Sequence, residues 1–145
     1  MSVKRLPAFI CAVIMICTLL TPALAAEPTG KTIDLGDGFY VVETIIQYPM
    51  TRAGNTVQGK KTGSLYQGSV LVGTATLVAS FELSGGAASA LTASISGLGQ
   101  NGGTYSSGST RRSGSVAYGT AIFQVNATEK RLDLSLSCSP DGALS

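Results

Sequence analysis

The feature that most restricts the fold is a two-residue alternation running from Leu71 to Ile95. Leu71, Gly73, Ala75, Leu77, Ala79, Phe81 and Leu83 occupy one phase, and Val72, Thr74, Thr76, Val78, Ser80 and Glu82 the other. Ser84-Gly85-Gly86 interrupts the pattern with a turn able to take positive φ, after which Ala87, Ser89, Leu91, Ala93 and Ile95 continue the apolar phase. Successive side chains of a strand point to opposite faces, so this pattern predicts a β-hairpin with one face turned to a core. A helix fits worse, because it would scatter Thr, Ser and Gly over every face.

The flanking sequence repeats the theme. Phe39-Tyr40-Val41-Val42-Glu43-Thr44-Ile45-Ile46 is aromatic and β-branched, which suits a pleated surface, and the strand it predicts runs from Phe39 to Tyr48 and ends at Pro49. Asp34-Leu35-Gly36-Asp37-Gly38 reads as a turn, Met50 to Thr56 as a polar connection, and Lys60 to Tyr66 as a weaker strand. The Gly- and Ser-rich stretch from Gly97 to Gly114 is compatible with a long loop, but a polar strand around Thr104 to Arg112, flanked by turns, is preferred. A second hairpin follows. Ala117, Gly119, Ala121, Phe123, Val125 and Ala127 share one face, Leu132, Leu134, Leu136 and Cys138 share another, and Thr128-Glu129-Lys130 turns between them. Short strands with regular turn signals predict an all-β chain, as a small immunoglobulin-like antiparallel β-sandwich of six or seven strands rather than a closed barrel. Its inward residues are mostly Ala, Gly, Leu and Val, so the sheets should pack closely and leave little room for a ligand cavity.

The first residues set the compartment. Lys4 and Arg5, an apolar run from Leu6 to Leu20, a break at Thr21-Pro22 and the small-residue end Ala23-Leu24-Ala25 together read as a secretory signal peptide over residues 1–25. The apolar run is short against the roughly 20 residues that span a bilayer, which disfavours a retained anchor. Neither Cys11 nor Cys17 follows the small residues of a lipoprotein site. Cleavage after Ala25 would leave a flexible lead over residues 26–32 and one β-sandwich domain over 33–145, secreted or held at the cell surface.

That cleavage changes the chemistry of the chain. Two of the ten Lys and Arg lie in the signal and all eight Asp and Glu follow it, so the exported part is neutral. Neutrality gives no electrostatic reason to expect nucleic acid or an anionic membrane as partner. Cys138 becomes the sole cysteine, so no intramolecular disulfide can form and the core alone must hold the fold. There is no histidine, which excludes Ser-His-Asp and Cys-His catalysis and leaves zinc without a ligand set. Cys138 falls in the apolar phase of its strand, where a thiol is inert.

The remaining polar groups suggest no site by spacing alone. Asp34, Asp37 and Glu43 fit no calcium-loop template, and a solvated turn accounts for them better. Lys60-Lys61 and Arg111-Arg112 read as charges that block sheet-to-sheet association at edges. Asn126-Ala127-Thr128 matches a glycosylation sequon, relevant only in a eukaryotic secretory pathway. Of the aromatics after the signal (Phe39, Tyr40, Tyr48, Tyr66, Phe81, Tyr105, Tyr118 and Phe123), Tyr48, Tyr66, Tyr105 and Tyr118 are candidates to line a carbohydrate- or peptide-binding face.

Three segments carry a resemblance: Lys61-Thr62-Gly63-Ser64, Gly73-Thr74-Ala75-Thr76 running into Phe81, and Ser113-Gly114-Ser115-Val116-Ala117-Tyr118-Gly119. The ending Leu134-Ser-Leu-Ser-Cys138-Ser-Pro-Asp-Gly-Ala-Leu-Ser145 is the sharpest piece. From Lys61 onward the chain resembles short exported uncharacterised proteins of Gram-positive bacteria that end in an L-[ST]-C-S-x-x-G-x-L-S motif. The resemblance implies export and a β-fold, with no assigned activity, cofactor or site residue. It also implies a second cysteine where this chain has Ala88, Ser89 and Ala90, so the inter-sheet disulfide it would suggest has no partner here.

The expectation is therefore a non-catalytic extracellular binding or structural module, without catalytic, cofactor or metal residues, whose partner is a cell-surface polymer or a protein. A small secreted effector of bacteriocin or toxin type is the alternative. A hydrolase working through carboxylates alone ranks last.

Overall fold

The computed structural model describes residues 30–49 and 55–145. The signal peptide, its cleavage point, most of the lead and most of the connection after Pro49 lie outside the described residues. Within them the chain is all β, with eight strands: β1 (Lys31–Gly36), β2 (Phe39–Gln47), β3 (Thr56–Gln67), β4 (Val70–Ser84), β5 (Ala87–Gly99), β6 (Gly103–Ser113), β7 (Val116–Val125) and β8 (Thr128–Ser137). They form two antiparallel sheets, one in the order β1-β2-β3-β4-β5 and one in the order β6-β7-β8, packed face to face as a small sandwich. Within each sheet, strands pair only with their neighbours in sequence, and β5 and β6 do not pair. The whole is thus one meander folded over between β5 and β6, without the crossing connection of an immunoglobulin Greek key.

The strand count exceeds the six or seven read from the pattern for local reasons. Asp34 and Gly36 belong to β1, and the turn shrinks to Asp37-Gly38, with the Asp34 carboxylate accepting the Gly36 amide at 2.8 Å. The strand expected over Lys60 to Tyr66 is twelve residues long and central, paired on both sides. Thr128-Glu129-Lys130 does not turn; it opens β8, and the hairpin turns on Asn126 and Ala127, at φ 49° and 62°. Positive φ at both positions is the twist that a two-residue hairpin loop requires.

The core lies between the sheets and is built from alternate residues: Phe39 and Val41 of β2, Val57 and Leu65 of β3, Ala75, Leu77, Ala79 and Phe81 of β4, Ala117, Ala121, Phe123 and Val125 of β7, and Leu132, Leu134 and Leu136 of β8. Two bulges change the phase read from sequence. Leu65 pairs with Gly73 and Tyr66 with Leu71, so Val72 is the additional residue; it is fully buried while Leu71 is half-buried. Ser80 pairs with Thr92 and Phe81 with Ala90, which makes Leu91 the additional residue on β5. On the early side of that bulge the inward residues are therefore Ala88 and Ala90, not Ala87, Ser89 and Leu91, and Leu91 is 41% exposed. A shift of one residue moves a whole strand segment to the other face, which is the effect of both bulges.

Close approach of the sheets rests on large side chains seated over glycines of the facing layer. A Cβ on Gly73 of β4 would lie 2.6 Å from the Phe123 ring of β7. The Tyr105 ring of β6 lies directly on Gly97 of β5, and its edge meets Phe123 with centroids 5.6 Å apart. Beyond β8, the chain turns at Ser139-Pro140-Asp141-Gly142 and returns beside itself, with Ser137 and Ser145 exchanging backbone hydrogen bonds at 2.9 and 3.0 Å. Leu144 lands on Gly59 of β3, and the Gln47 side chain of β2 receives the Leu144 amide and donates to the Gly142 carbonyl. The distinctive ending is thus a structural hook that ties the last strand of one sheet to the other.

Gly73→Ala should force the Phe123 ring to move and destabilise the protein by about 1–3 kcal/mol in denaturant unfolding, the usual range for an overpacked core. Combining it with Phe123→Leu should cost less than the sum of the two single changes. Strict additivity would show that ring and glycine do not depend on each other.

Candidate functional site

The two sheets meet along two seams, and each seam is spanned by side chains instead of a backbone ladder. The first lies between β1, β2 and β3 on one side and the outer edge of β8 on the other. Here the inward side chain of Glu43, 5% exposed as a residue, pairs with Lys61 Nζ at 2.9 Å. The same ammonium donates to the Ser135 carbonyl of β8 at 3.0 Å. Lys61 is inward because Val57, Gly59, Lys61, Gly63 and Leu65 share one face of β3. It is therefore no edge charge: it sits on a central strand and links the layers. A cleft of about 210 Å³ beside the pair is walled by Ile33, Leu35, Val41, Leu132 and Leu134, with Arg131 and Asp133 at its rim.

The second seam lies between β5 and β6, where the meander folds over. A tight turn joins these strands, held by the Gly103 amide on the Gln100 carbonyl at 2.8 Å. Val72, the bulged residue of β4, accepts the Gln100 amide at 3.0 Å, and Asn101 donates to the Leu71 carbonyl at 2.9 Å. Past the turn, the Tyr105 ring against Gly97 pushes the strands apart and directs them into different sheets. Farther along, the Thr110 hydroxyl donates to the Ala93 carbonyl at 3.4 Å, the Arg112 guanidinium donates to the Leu91 carbonyl, and the Ala90 amide reaches Gly114 at 2.8 Å. Alternate side chains of β6 thus satisfy alternate carbonyls of β5, where a neighbouring strand would supply amides.

A shallow groove of about 700 Å³ follows this seam, lined by Ser89 to Ala93 on one bank and Thr110 to Gly114 on the other. Every residue of β6 from Ser106 to Ser113 is exposed, on both faces of the strand. Two arginines and no carboxylate line the groove. Arg111 points the other way along β6, its guanidinium 4.1 Å from the centre of the Tyr118 ring, so Arg112 is the cation that spans the seam.

The other residues singled out by sequence scatter. Asp34 caps its own turn. Asp37, with a side chain 88% exposed, lies 3.6 Å from Lys130 Nζ, itself 4.3 Å from the Phe39 ring centre, while Glu43 is the buried partner of Lys61. Among the described residues no three His, Cys, Asp or Glu side chains gather. The tyrosines do not share a face: Tyr66 stacks on Tyr40 on the outside of the larger sheet at 5.1 Å, Tyr105 is wedged inward, Tyr118 lies under Arg111 and Tyr48 follows β2. Asn126 sits exposed in the β7–β8 turn. Cys138 is 3% exposed, and burial, with the Asp141 charge adding to it, pushes its thiol above the ordinary value. Asp141 is held below the usual carboxylate range by the Ser139 hydroxyl and then the Ala143 amide. The seam groove was not apparent in the sequence. Its one legible trace is the polar run from Ser106 to Ser113, which lacks the apolar phase of every other long strand.

The chain matches no family model, no curated protein and no solved structure.

Lys61→Met should leave the Glu43 carboxylate buried without a partner and cost about 3–5 kcal/mol, read from denaturant midpoints. Adding Glu43→Leu should return most of that loss; no recovery would assign the cost to the Ser135 bond instead. Cys138 should remain unmodified by iodoacetamide in the folded protein and react on unfolding, which peptide mass mapping resolves from Cys11 and Cys17. Fast alkylation of native Cys138 would contradict its placement in the core.

Proposed function

We propose that this chain is a secreted, non-catalytic binding module that takes an extended segment of its partner into the β5–β6 seam as an added strand. The observation that carries the reading is the seam itself. Two strand edges lie side by side, joined near one end by the side chains of Thr110 and Arg112 and by the Ala90 amide on Gly114. An open edge offers main-chain amides and carbonyls in a row, and an extended peptide completes them by strand addition. To accept one, the Thr110 and Arg112 side chains must leave the β5 carbonyls and the Ala90 amide must leave the Gly114 carbonyl. Export is supported by the charged, apolar and small-residue segments of residues 1–25. A non-catalytic role is supported by the lack of histidine and by carboxylates that are engaged in turns and ion pairs.

The test is an amide-resolved NMR titration with a blocked eight-residue Thr–Val peptide and with the same peptide N-methylated at alternate residues. Shifts should centre on Ser89 to Ala93 and Thr110 to Gly114, with the unmethylated peptide alone. An equal response to both peptides, or shifts confined to the outer face of the larger sheet, would remove strand addition as the mode of binding.

A further inference from the structure

We infer that the segment received in the β5–β6 seam is an acidic peptide, read through Arg112 acting as a releasable latch. The inference rests on the strand-addition reading and adds the chemistry of the partner. Arg112 now spends its guanidinium on the Leu91 carbonyl, a neutral acceptor left open by the bulge in β5. An incoming strand would supply its own amide to that carbonyl and displace the guanidinium. Arg112 is then a free cation on the bank of a groove in which none of the ten lining residues is acidic. A carboxylate is the group that suits it: the pairing is charge-assisted and can be bidentate, whereas the carbonyl it replaces carries no charge. Thr110, two residues earlier on the same face of β6, is released from Ala93 in the same step and becomes a hydroxyl donor beside the arginine.

The latch also explains the composition of β6. Its residues from Ser106 to Ser113 are small or hydroxylic apart from the two arginines. An added strand therefore meets no bulky side chain on that bank. In the free protein the same latch blocks pairing with other strands, since an inward-turned charge at an edge opposes indiscriminate sheet extension. Neutral strands must displace Arg112 and give it nothing in return. Acidic strands displace it and re-pair it, and selectivity follows from that difference.

The experiment compares blocked eight-residue Thr–Glu and Thr–Gln peptides by calorimetry or NMR titration on the full chain. Wild type should prefer the Glu peptide by about fivefold, the scale of one solvent-exposed ion pair, and the preference should shrink as salt is raised. Arg112→Gln should abolish the preference while leaving the Thr–Gln peptide bound at least as tightly, because the latch is gone. Arg111→Gln, which alters the cation stacked on Tyr118, should keep it. Equal affinity of wild type for both peptides, or equal loss of preference in the two variants, would overturn the acidic assignment while strand addition itself stood. N-methylation of the Glu peptide separates the two ideas: if the methylated form binds as well, strand addition fails first. Inorganic polyphosphate that binds wild type as tightly as the Glu peptide would overturn the peptide assignment in favour of a general anion site.

Discussion

The structure depends on how closely two sheets can approach when large side chains of one layer fall on glycine or alanine of the other. Phe123 on Gly73 and Tyr105 on Gly97 set that distance, and Leu144 on Gly59 repeats it at the end of the chain. Removal of apolar area from water drives the contact, with a fully buried Leu, Val or Phe contributing about 1.5–3 kcal/mol. The complementary shapes decide that only one registration of the sheets realises it. With Cys138 as the only cysteine among the described residues, and buried, no covalent link supplements this packing. The Glu43–Lys61 pair adds orientation more than energy, since a buried ion pair recovers little beyond the cost of its own desolvation. What it contributes is a tether from a central strand of one sheet to the edge carbonyl of the other.

Most of the fold was legible in the sequence because alternation reports directly on which face of a strand is buried. β4 and β7 were placed to within about two residues, as were the Gly85-Gly86 turn and the burial of Cys138, whereas the first three residues of β8 were read as a turn. What the pattern hides is the bulge. Leu91 is apolar and sits in the apolar phase of β5, yet the additional residue there turns it outward and brings Ala88 and Ala90 in. Alanine and serine alternate so evenly around it that either phase satisfies the sequence. The inward lysine was hidden for a related reason. Lys61 reads as surface until Glu43 is known to lie beside it, and that neighbourhood depends on the register of β2 with β3. The seam is a property of the pairing between strands, so no single stretch of sequence could announce it.

Both seams face the same difficulty, the unpaired edge, and meet it differently. At β8 a lysine drawn from inside the core satisfies an edge carbonyl, under apolar walls and next to its own counter-ion. At β5 the edge is satisfied by two exposed side chains of a polar strand and by one main-chain bond, from the Ala90 amide to Gly114. The first arrangement is built into the core and cannot be undone without burying an unpaired charge. The second is held mainly by exposed groups that can return to water.

The meander has a kinetic consequence as well. Within each sheet every strand after the first pairs with its predecessor, so either sheet can assemble from contacts near in sequence, hairpin upon hairpin, on its own side of the bend at Gln100 to Gly102. Folding rates of small domains fall as contacts become more distant along the chain, and an up-and-down order keeps that separation near its minimum for a sandwich. Docking of the two finished sheets would then be the late step, with the hook that carries Leu144 arriving last. The edge along β5 and β6 is the crease of that fold, the one line where the chain passes from one sheet to the next without adding a rung.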